Sequence, residues 1–305
     1  MAGMRIKLVT VPYRYDEREE GLGAGPTALL QAGLVKHLAA RGMEVEGPVE
    51  ATLDPTERVD GPIAVNIGRL GANTAALVAE ARREGTGALV LAGDDTATVG
   101  VVSGLQQADG AGTPIGIVWL DAHGDFNTPE TSYSGILAGM PVAILAGLAG
   151  PLWREAAGLA VPVPTNRILL AGTRDLDEKE QALLRSTDVR IVSARQVVDG
   201  TSLAAAVERL ANSCSHLFLH VDLDVLDPHL VPSASTPSPR GLEIDETAAA
   251  MTTVLRTGKV VAVCVSSLNP GGGNLGERSI KTTLAVLAAA LPAWERVPGR
   301  PAYGF

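Results

Sequence analysis

The stretch VWLDAHGDFNTP, residues 118–129, carries an apolar strand pattern directly into a group of acidic and imidazole side chains. The apolar run at residues 116–120 continues without a turn signal into Asp121, His123 and Asp125. Residues i, i+2 and i+4 of an extended segment lie on one face, so these three side chains are predicted to converge. Unpaired buried carboxylates are costly, and a divalent metal ion is the simplest compensation for them. The stretch therefore predicts a metal site where a core strand ends.

A second stretch, HVDLDVLDP at residues 220–228, repeats this pattern with Asp222 and Asp224 on one strand face. Oxygen-rich sites with one or two nitrogen ligands favour Mn²⁺, and less strongly Mg²⁺ or Fe²⁺. Two metals that share carboxylates would hold a water, lower its pKa and present hydroxide to a carbon electrophile. The alternative is that the acids pair with arginines or cap helices. That alternative is preferred only for Asp227, which stands next to Pro228 in a turn.

Short apolar runs alternate with helical patterns along the chain. Strands are predicted over residues 6–11, 88–91, 116–120, 167–171, 189–192, 217–221 and 260–265, and helices over residues 27–40, 72–84, 178–185, 202–213, 245–257 and 279–291. This alternation predicts an α/β fold with a mainly parallel sheet covered by helices on both faces. No linker composition divides the chain, so residues 1–305 are predicted to form a single domain.

Four of the predicted strands end in acidic motifs. These motifs are AGDD at residues 92–95, DAHGD at 121–125, GTRDLDEKE at 172–180 and HVDLDVLDP at 220–228. In open α/β sheets, ligands bind beyond the carboxyl ends of the strands. The acids are therefore predicted to converge on one crevice, and this is a stronger signal than any single motif.

The composition excludes several classes of protein. A net charge of −9 argues against a nucleic-acid surface, which needs a basic face. Two cysteines, Cys214 and Cys264, are too few for a disulfide scaffold and fit a reducing cytoplasm. The N-terminal residues show no signal-peptide pattern. Ser, Gly and Pro interrupt the uncharged run at residues 131–153, so it predicts loop and core rather than a membrane span.

The motifs together resemble those of the ureohydrolase (arginase/agmatinase) family, in a divergent arginase-like branch. DAHGDFNTP is similar to the family's DAHxDxNTP, and HVDLDVLDP is similar to its SxDxDxxDP. Residues 19–34, 91–100 and 172–180 resemble three further family segments, and all five occur in the family's order. The resemblance implies a three-layer α/β/α sandwich, a trimer or hexamer, and a metal centre with one or two Mn²⁺ per chain.

The resemblance also assigns metal ligands. The positions that match the family's ligands are Asp121, His123, Asp125, Asp222 and Asp224. Asp121 and Asp222 would bridge the two metals. Asp125 would have a catalytic role as well, because it would accept a hydrogen bond from the metal-bound hydroxide.

Four positions depart from the family pattern. Asp95 replaces a histidine ligand, so it would either bind the first metal through oxygen or contact the substrate, and that metal position could be weak or empty. Ala138 replaces the histidine that relays protons in arginases, and Ser267 replaces the glutamate that grips the guanidinium. His220 stands where many members have serine. It is a candidate catalytic proton shuttle, with a core histidine as the alternative.

The amino-acid end of the predicted pocket keeps the family pattern. Asn127 and Ser134 match positions that help hold the substrate carboxylate in arginases. Asp177 and Glu180 match positions that help hold its α-amino group, and Thr236 matches a pocket threonine. The alternative is that Asn127 forms a turn and that Asp175, Asp177 and Glu180 form an acidic cluster at a helix N-terminus.

Three functions remain open from these residues. The first hypothesis is hydrolysis of a modified arginine, with N-hydroxyarginine as the best candidate because its hydroxyguanidine is less basic. Its products would be ornithine and urea or hydroxyurea. The second is an ordinary arginase or agmatinase-type hydrolase. The third is a catalytically silent paralogue that binds a metal or an amino acid. A different reaction on the same metal, such as amide hydrolysis, is a further possibility.

Overall fold

The computed structural model describes residues 4–271 and 273–300. Its strands are β1 (Arg5–Val11), β2 (Tyr13–Arg14), β3 (Glu17–Arg18), β4 (Glu44–Glu50), β5 (Gly87–Ala92), β6 (Ile115–Leu120), β7 (Ile168–Thr173), β8 (Arg190–Ser193), β9 (His216–Asp222) and β10 (Val260–Ser266). Its helices are α1 (Gly25–Gln31), α2 (Leu34–Ala39), α3 (Ile63–Arg83), α4 (Thr98–Asp109), α5 (Pro141–Leu145), α6 (Pro151–Ala156), α7 (Glu178–Arg185), α8 (Ala194–Val198), α9 (Thr201–Ser213), α10 (Ile244–Leu255) and α11 (Gly273–Ala290).

The centre of the fold is an eight-stranded sheet in the order β4-β1-β5-β10-β9-β6-β7-β8. Every neighbouring pair in this sheet is parallel. All residues of β5, β6, β9 and β10 are buried, because helices cover both faces of a parallel sheet. The predicted three-layer α/β/α sandwich is confirmed.

Two apolar layers hold the helices on the sheet. One layer packs α1, α2 and α8 to α11 against it through residues such as Leu38, Leu210 and Leu287. The other packs α3 to α6 through residues such as Leu70 and Trp153. Both cysteines are free and buried within these layers.

Some element predictions were wrong. The helix predicted over residues 27–40 is two helices, because Gly33 between them has φ +88°, a left-handed conformation that ends α1. The helix predicted over residues 72–84 begins much earlier, at Ile63. Helix α4 was missed because nearly all of its residues are buried, so it has no amphipathic pattern. Strand β4 was missed because it is an edge strand rich in exposed glutamate.

The strand order brings the acidic motifs together. Strands β5, β10, β9 and β6 are neighbours in the sheet, and parallel strands end at the same edge. The segments that follow these strands therefore lie side by side. This adjacency is what creates a site.

None of the helices in residues 4–271 and 273–300 is long and apolar enough to cross a membrane.

The close contact between α3 and α4 depends on Gly100, which has no side chain. A Cβ at Gly100 would lie 2.4 Å from the carbonyl oxygen of Gly71. Gly100→Ala is therefore expected to destabilise the protein by about 1–3 kcal/mol, which exceeds the helix-propensity gain of alanine. Thermal unfolding should show a fall in Tm of about 2–6 °C. Gly112→Ala is the matched control, because nothing lies within 4 Å of its added Cβ. Equal melting temperatures for the two variants would contradict this close packing.

Candidate active site

A cavity of about 340 Å³ opens at the carboxyl ends of the central strands. It collects most of the side chains that the sequence singled out. Those that line it are Asp95, His123, Asp125, Asn127, Ser134, Asp177, Glu180, Asp222, Asp224, Thr236 and Ser267. Asp121 and His220 are buried behind the cavity wall. The structure thus brings the predicted metal and substrate residues into one place.

The side chains converge by a route that differs from the one predicted. The segment after β6 is not extended: Asp121 Oδ1 accepts a hydrogen bond from the His123 amide at 2.7 Å, and Asp125 has φ +46°. After β9, Asp222 Oδ1 likewise accepts the Asp224 amide at 2.7 Å, and Asp224 lies in a 3-10 turn. The alternating-face prediction was wrong because an aspartate at a strand end bends the chain by bonding its own backbone two residues on.

Asp121, His123 and Asp224 form the first cluster that could hold a cation. One ligand atom from each lies within 4.8 Å of the others. His123 Nδ1 is 3.1 Å from Asp224 Oδ2 and 3.5 Å from Asp121 Oδ1. Burial disfavours the charged imidazole, but the hydrogen bonds and charges of Asp121 and Asp224 outweigh it and raise the pKa of His123 to about 12.

Asp95, Asp121 and His220 form a second such cluster, again with ligand atoms within 4.8 Å of one another. Asp121 belongs to both clusters, so it is the residue that two ions would share if both clusters held one. Asp125 and Asp222 belong to neither, although the charges of Asp95, Asp121 and Asp224 act on both of them. Their role as ligands stays a prediction.

The buried acids lack enough positive charge. Burial, followed by the charges of neighbouring carboxylates, raises the pKa of Asp121 to about 7 and the pKa values of Asp125 and Asp222 well above normal. Asp224 is the exception: burial opposes its ionisation, but the hydrogen bond and charge of His123 and the hydrogen bond from Thr236 together lower its pKa. Charge on one imidazole therefore satisfies one carboxylate of the group and leaves the others uncompensated.

Among residues 4–271 and 273–300, no arginine or lysine forms an ion pair with these aspartates. Within residues 4–271 and 273–300, the ion pairs of these aspartates are with His123 and His220 alone. The nearby Arg174 instead donates to backbone carbonyl oxygens, including that of Asp224 at 2.8 Å. Asp125 Oδ2 is buried and accepts no hydrogen bond from the described residues. The interpretation that these acids pair with arginines is therefore wrong, and the donor set fits hard divalent cations.

The predicted amino-acid end forms a connected polar wall. Asn127 Nδ2 donates to Asp177 Oδ2 at 3.1 Å. Glu180 accepts the amide of Asp177 at 3.2 Å and that of Phe126 at 2.9 Å. Burial raises the pKa of Glu180 to about 7. Asp177 and Glu180 therefore cap α7, as the alternative interpretation holds, and they line the cavity as well.

Three further predicted residues line the cavity, and two of them contact acids of the clusters. Ser134 is exposed, and its Oγ accepts the amide of Ile136 at 3.2 Å. Thr236 Oγ1 donates to Asp224 Oδ2 at 2.8 Å, so it orients an acid of the first cluster. Ser267 has φ +66° and donates to Asp95 Oδ2 at 3.3 Å.

The residues that the sequence predictions missed include two polar ones that line the cavity, Arg14 and Tyr15. Arg14 and Tyr15 follow β1, whose carboxyl end lies at the same sheet edge. The Tyr15 amide donates to Asp94 Oδ2 at 2.8 Å, and the Arg14 guanidinium lies 5.4 Å from the centre of the Tyr15 ring. The motif PYRYDE, which directly follows this buried strand, was the available signal. Arg14 places a cation at the mouth of an acidic cavity.

Comparison with known proteins identifies relatives over nearly the whole chain. Residues 4–291 match the model of the Arginase family. Arginase from Neurospora crassa is 32% identical over 283 residues, which cover 87% of this chain and 78% of the relative. Arginase from Bacillus caldovelox is 28% identical, covering 92% of this chain and 95% of the relative. The crystal structure of arginase from Bacillus subtilis superposes with a TM-score of 0.81 at 25% identity, covering 94% of this chain and 98% of that one.

The class of the protein follows from its sandwich fold, from the acids clustered at its strand ends and from these matches. It is a ureohydrolase, a metal-dependent hydrolase of C–N bonds in linear amidines. The chain belongs to the arginase family. The family resemblance inferred from five motifs is confirmed.

Proposed function

We propose that this protein hydrolyses the guanidine group of an arginine-like amino acid with manganese, and that arginine itself is the substrate, giving ornithine and urea. The observation that carries the proposal is the position of the Asn127–Asp177–Glu180 wall in the same cavity as the two acidic clusters. One end of the cavity offers partners for an amino acid, and the other offers ligands for cations. The relatives named arginase support the same substrate.

The metal ligands would be the two clusters that share Asp121. His123 and Asp224 would complete one position, Asp95 would contribute to the other, and Asp125 and Asp222 would stand beside both. A bound divalent ion lowers the pKa of a coordinated water and so supplies the nucleophile. The ion would also compensate the buried carboxylates, whose raised pKa values show how unfavourable their charge is without it.

The protein's own residues would orient the substrate. Asp177 lines the cavity, and its carboxylate, whose Oδ2 accepts from Asn127 at 3.1 Å and from the Tyr133 amide at 3.4 Å, can accept a further hydrogen bond from an α-ammonium group. Asn127, Ser134 and the cation of Arg14 would hold the α-carboxylate. Asp125, whose Oδ2 accepts no hydrogen bond from the described residues, would accept one from the nucleophile and hold it towards the guanidine carbon.

N-hydroxyarginine is the second candidate substrate. Ser267 occupies the guanidine end and donates to Asp95, and Ala138 lines the cavity without any group that transfers a proton. A hydroxyguanidine is less basic than a guanidine, so it depends less on a dedicated carboxylate at this end. Arginine and N-hydroxyarginine have the same amino-acid end and differ only at the guanidine group.

Product analysis by mass spectrometry distinguishes the candidates. Manganese-loaded protein receives arginine, N-hydroxyarginine, agmatine and guanidinobutyrate in parallel. Ornithine and urea from arginine, with no turnover of the two substrates that lack a complete amino-acid end, is the expected result. Turnover of N-hydroxyarginine alone would favour the second candidate. No product from any substrate, despite bound manganese, would indicate a silent paralogue.

Asp177→Asn tests the amino-acid end. The variant keeps a good helix cap but loses the charge opposite the α-ammonium group. A charge-assisted hydrogen bond contributes about 1.5–3 kcal/mol, so KM for arginine should rise about 10–100-fold with kcat changed much less. Glu178→Gln is the matched control, since Glu178 is exposed in the next position and does not line the cavity. A KM equal to that of the unchanged protein would remove Asp177 from the binding site.

From its resemblance to the family, we also propose that this chain forms a single domain. We propose further that it assembles as a trimer or hexamer in the cytoplasm. Light scattering coupled to size-exclusion chromatography measures the mass of the assembly. A monomer at micromolar concentration would contradict this part of the proposal.

A further inference from the structure

His220 is a buried imidazole that the proposed reaction does not use. It lies on β9, two residues before Asp222, and its side chain is fully buried. Side chains alternate along a strand, so His220 and Asp222 point to the same face of the sheet. The indole of Trp119 on the neighbouring strand packs against the ring, with centroids 3.7 Å apart. Packing therefore holds the imidazole in one place.

The Nε2 atom of His220 faces the acids of the second cluster. It lies 3.0 Å from Asp95 Oδ1. The same carboxylate oxygen accepts a hydrogen bond from Ser266 Oγ at 2.6 Å, and Ser266 Oγ is 3.5 Å from His220 Nε2. The ring is thus directed towards Asp95, deep in the site where the carboxylates converge. The amino-acid end of the substrate would lie elsewhere, near the rim.

The spacing of the second cluster suits a single ion. Ligands at right angles on a cation with bonds of about 2.1 Å are about 3.0 Å apart, and opposite ligands are about 4.2 Å apart. The atoms of Asp95, Asp121 and His220 all lie within 4.8 Å of one another. Asp121 also belongs to the cluster with His123, so two ion positions would be adjacent and each would have one imidazole.

We propose that His220 Nε2 is a ligand of the second manganese ion, together with Asp95 and Asp121. This assignment rests on the proposed metal-dependent function. A neutral nitrogen donor lowers the negative charge at a position that otherwise holds only carboxylates. The two residues by which the ligand motifs depart from the family pattern, Asp95 and His220, are in direct contact at 3.0 Å. Asp95, in the turn after β5, stands where the family pattern has a histidine ligand, and His220 on β9 would supply an imidazole in its place.

The test counts ions and nitrogen ligands without any substrate. Each protein is loaded with Mn²⁺, freed of excess metal by gel filtration, and measured by elemental analysis and by electron spin echo spectroscopy. The unchanged protein should hold two Mn²⁺ per chain with nitrogen couplings from two imidazoles. His220→Asn should hold one Mn²⁺ with coupling from one imidazole. Loss of occupancy without loss of fold, checked by circular dichroism, is the expected result.

Two further variants sharpen the test. His229→Asn is the matched control, because His229 is exposed and pairs with Asp227 away from the cavity; it should keep two ions. The double variant Asp95→His with His220→Ser should regain the second ion, since it returns an imidazole to the cluster from the other side. Should His220→Asn fail to fold, unchanged protein labelled with ¹⁵N-histidine gives the imidazole count without any substitution.

Full occupancy and an unchanged nitrogen signal in His220→Asn would overturn the assignment. So would a single imidazole coupling in unchanged protein that carries two ions, or a single bound ion whose occupancy His220→Asn leaves intact. Failure of the proposed function appears separately: a protein that binds two ions, loses one in His220→Asn and hydrolyses no guanidino compound would uphold His220 as a ligand and refute the reaction.

Discussion

Asp121→Asn is expected to remove both manganese ions and to lower turnover of a guanidino substrate at least about a thousandfold. Asp121 is the only residue common to the two clusters in the described part of the chain. An amide oxygen carries no charge and binds hard cations more weakly than a carboxylate, so one substitution weakens both positions. The side chain is fully buried, and its two oxygens accept hydrogen bonds from the Trp119 indole at 3.0 Å and from the His123 amide at 2.7 Å; asparagine can keep one of these bonds through its oxygen.

Elemental analysis after gel filtration and initial rates with arginine measure this effect. Asp227→Asn is the control. Asp227 also follows β9, but it pairs with His229 and accepts the amide of Gly241 at 3.0 Å, so it belongs to a turn rather than to the cavity. The control should keep its metal and its rate. A turnover of Asp121→Asn within tenfold of the unchanged protein would show that Asp121 does not carry the metal site.

Removal of the metal is expected to lower Tm by about 10 °C or more. In the metal-free protein, buried carboxylates face one another with His123 as the cation in contact with them. An ion that binds the folded state at a thousand times its Kd stabilises that state by about 4 kcal/mol, and each kcal/mol is equivalent to about 2 °C for a chain of this size. Two ions would therefore raise the melting temperature well beyond the error of a scan.

Scanning calorimetry of chelator-treated protein, before and after addition of Mn²⁺, checks this stabilisation. The Asp121→Asn variant should melt at nearly the same temperature with and without manganese, because it has lost the shared ligand. A parallel titration with Mg²⁺ should give a smaller rise, since nitrogen ligands such as His123 suit manganese better than magnesium. Identical melting curves with and without Mn²⁺ in unchanged protein would contradict the charge argument for the cluster.

The fold was largely predictable from the sequence, and the errors in that prediction have local causes. Strands such as β5, β6 and β10 are uniformly apolar, and that pattern has one interpretation in an α/β chain. Helix α4 shows the limit of the same reasoning. It is buried on all sides, so its sequence lacks the period that marks an amphipathic helix.

The residues of the site were predictable for a different reason. Asp121 and Asp222 stand directly at the ends of apolar strands, and the ends of parallel strands meet at one edge. Their conformation was not predictable from alternation. The Asp121 and Asp222 carboxylates bond the amides of His123 and Asp224 and bend the chain where an extended strand was expected.

The amino-acid sequence by itself determined the α/β class, the position of acids at strand ends and the family of the chain, because each of these depends on residues close together in the sequence. Tertiary structure alone decided that Asp95 touches His220, that Asp121 is shared by two clusters, and that Arg14 stands at the cavity mouth. These contacts join segments that are distant in the chain. They exist because the sheet places β5, β10, β9 and β6 side by side, and strand order follows from the packing of the whole core rather than from any local pattern.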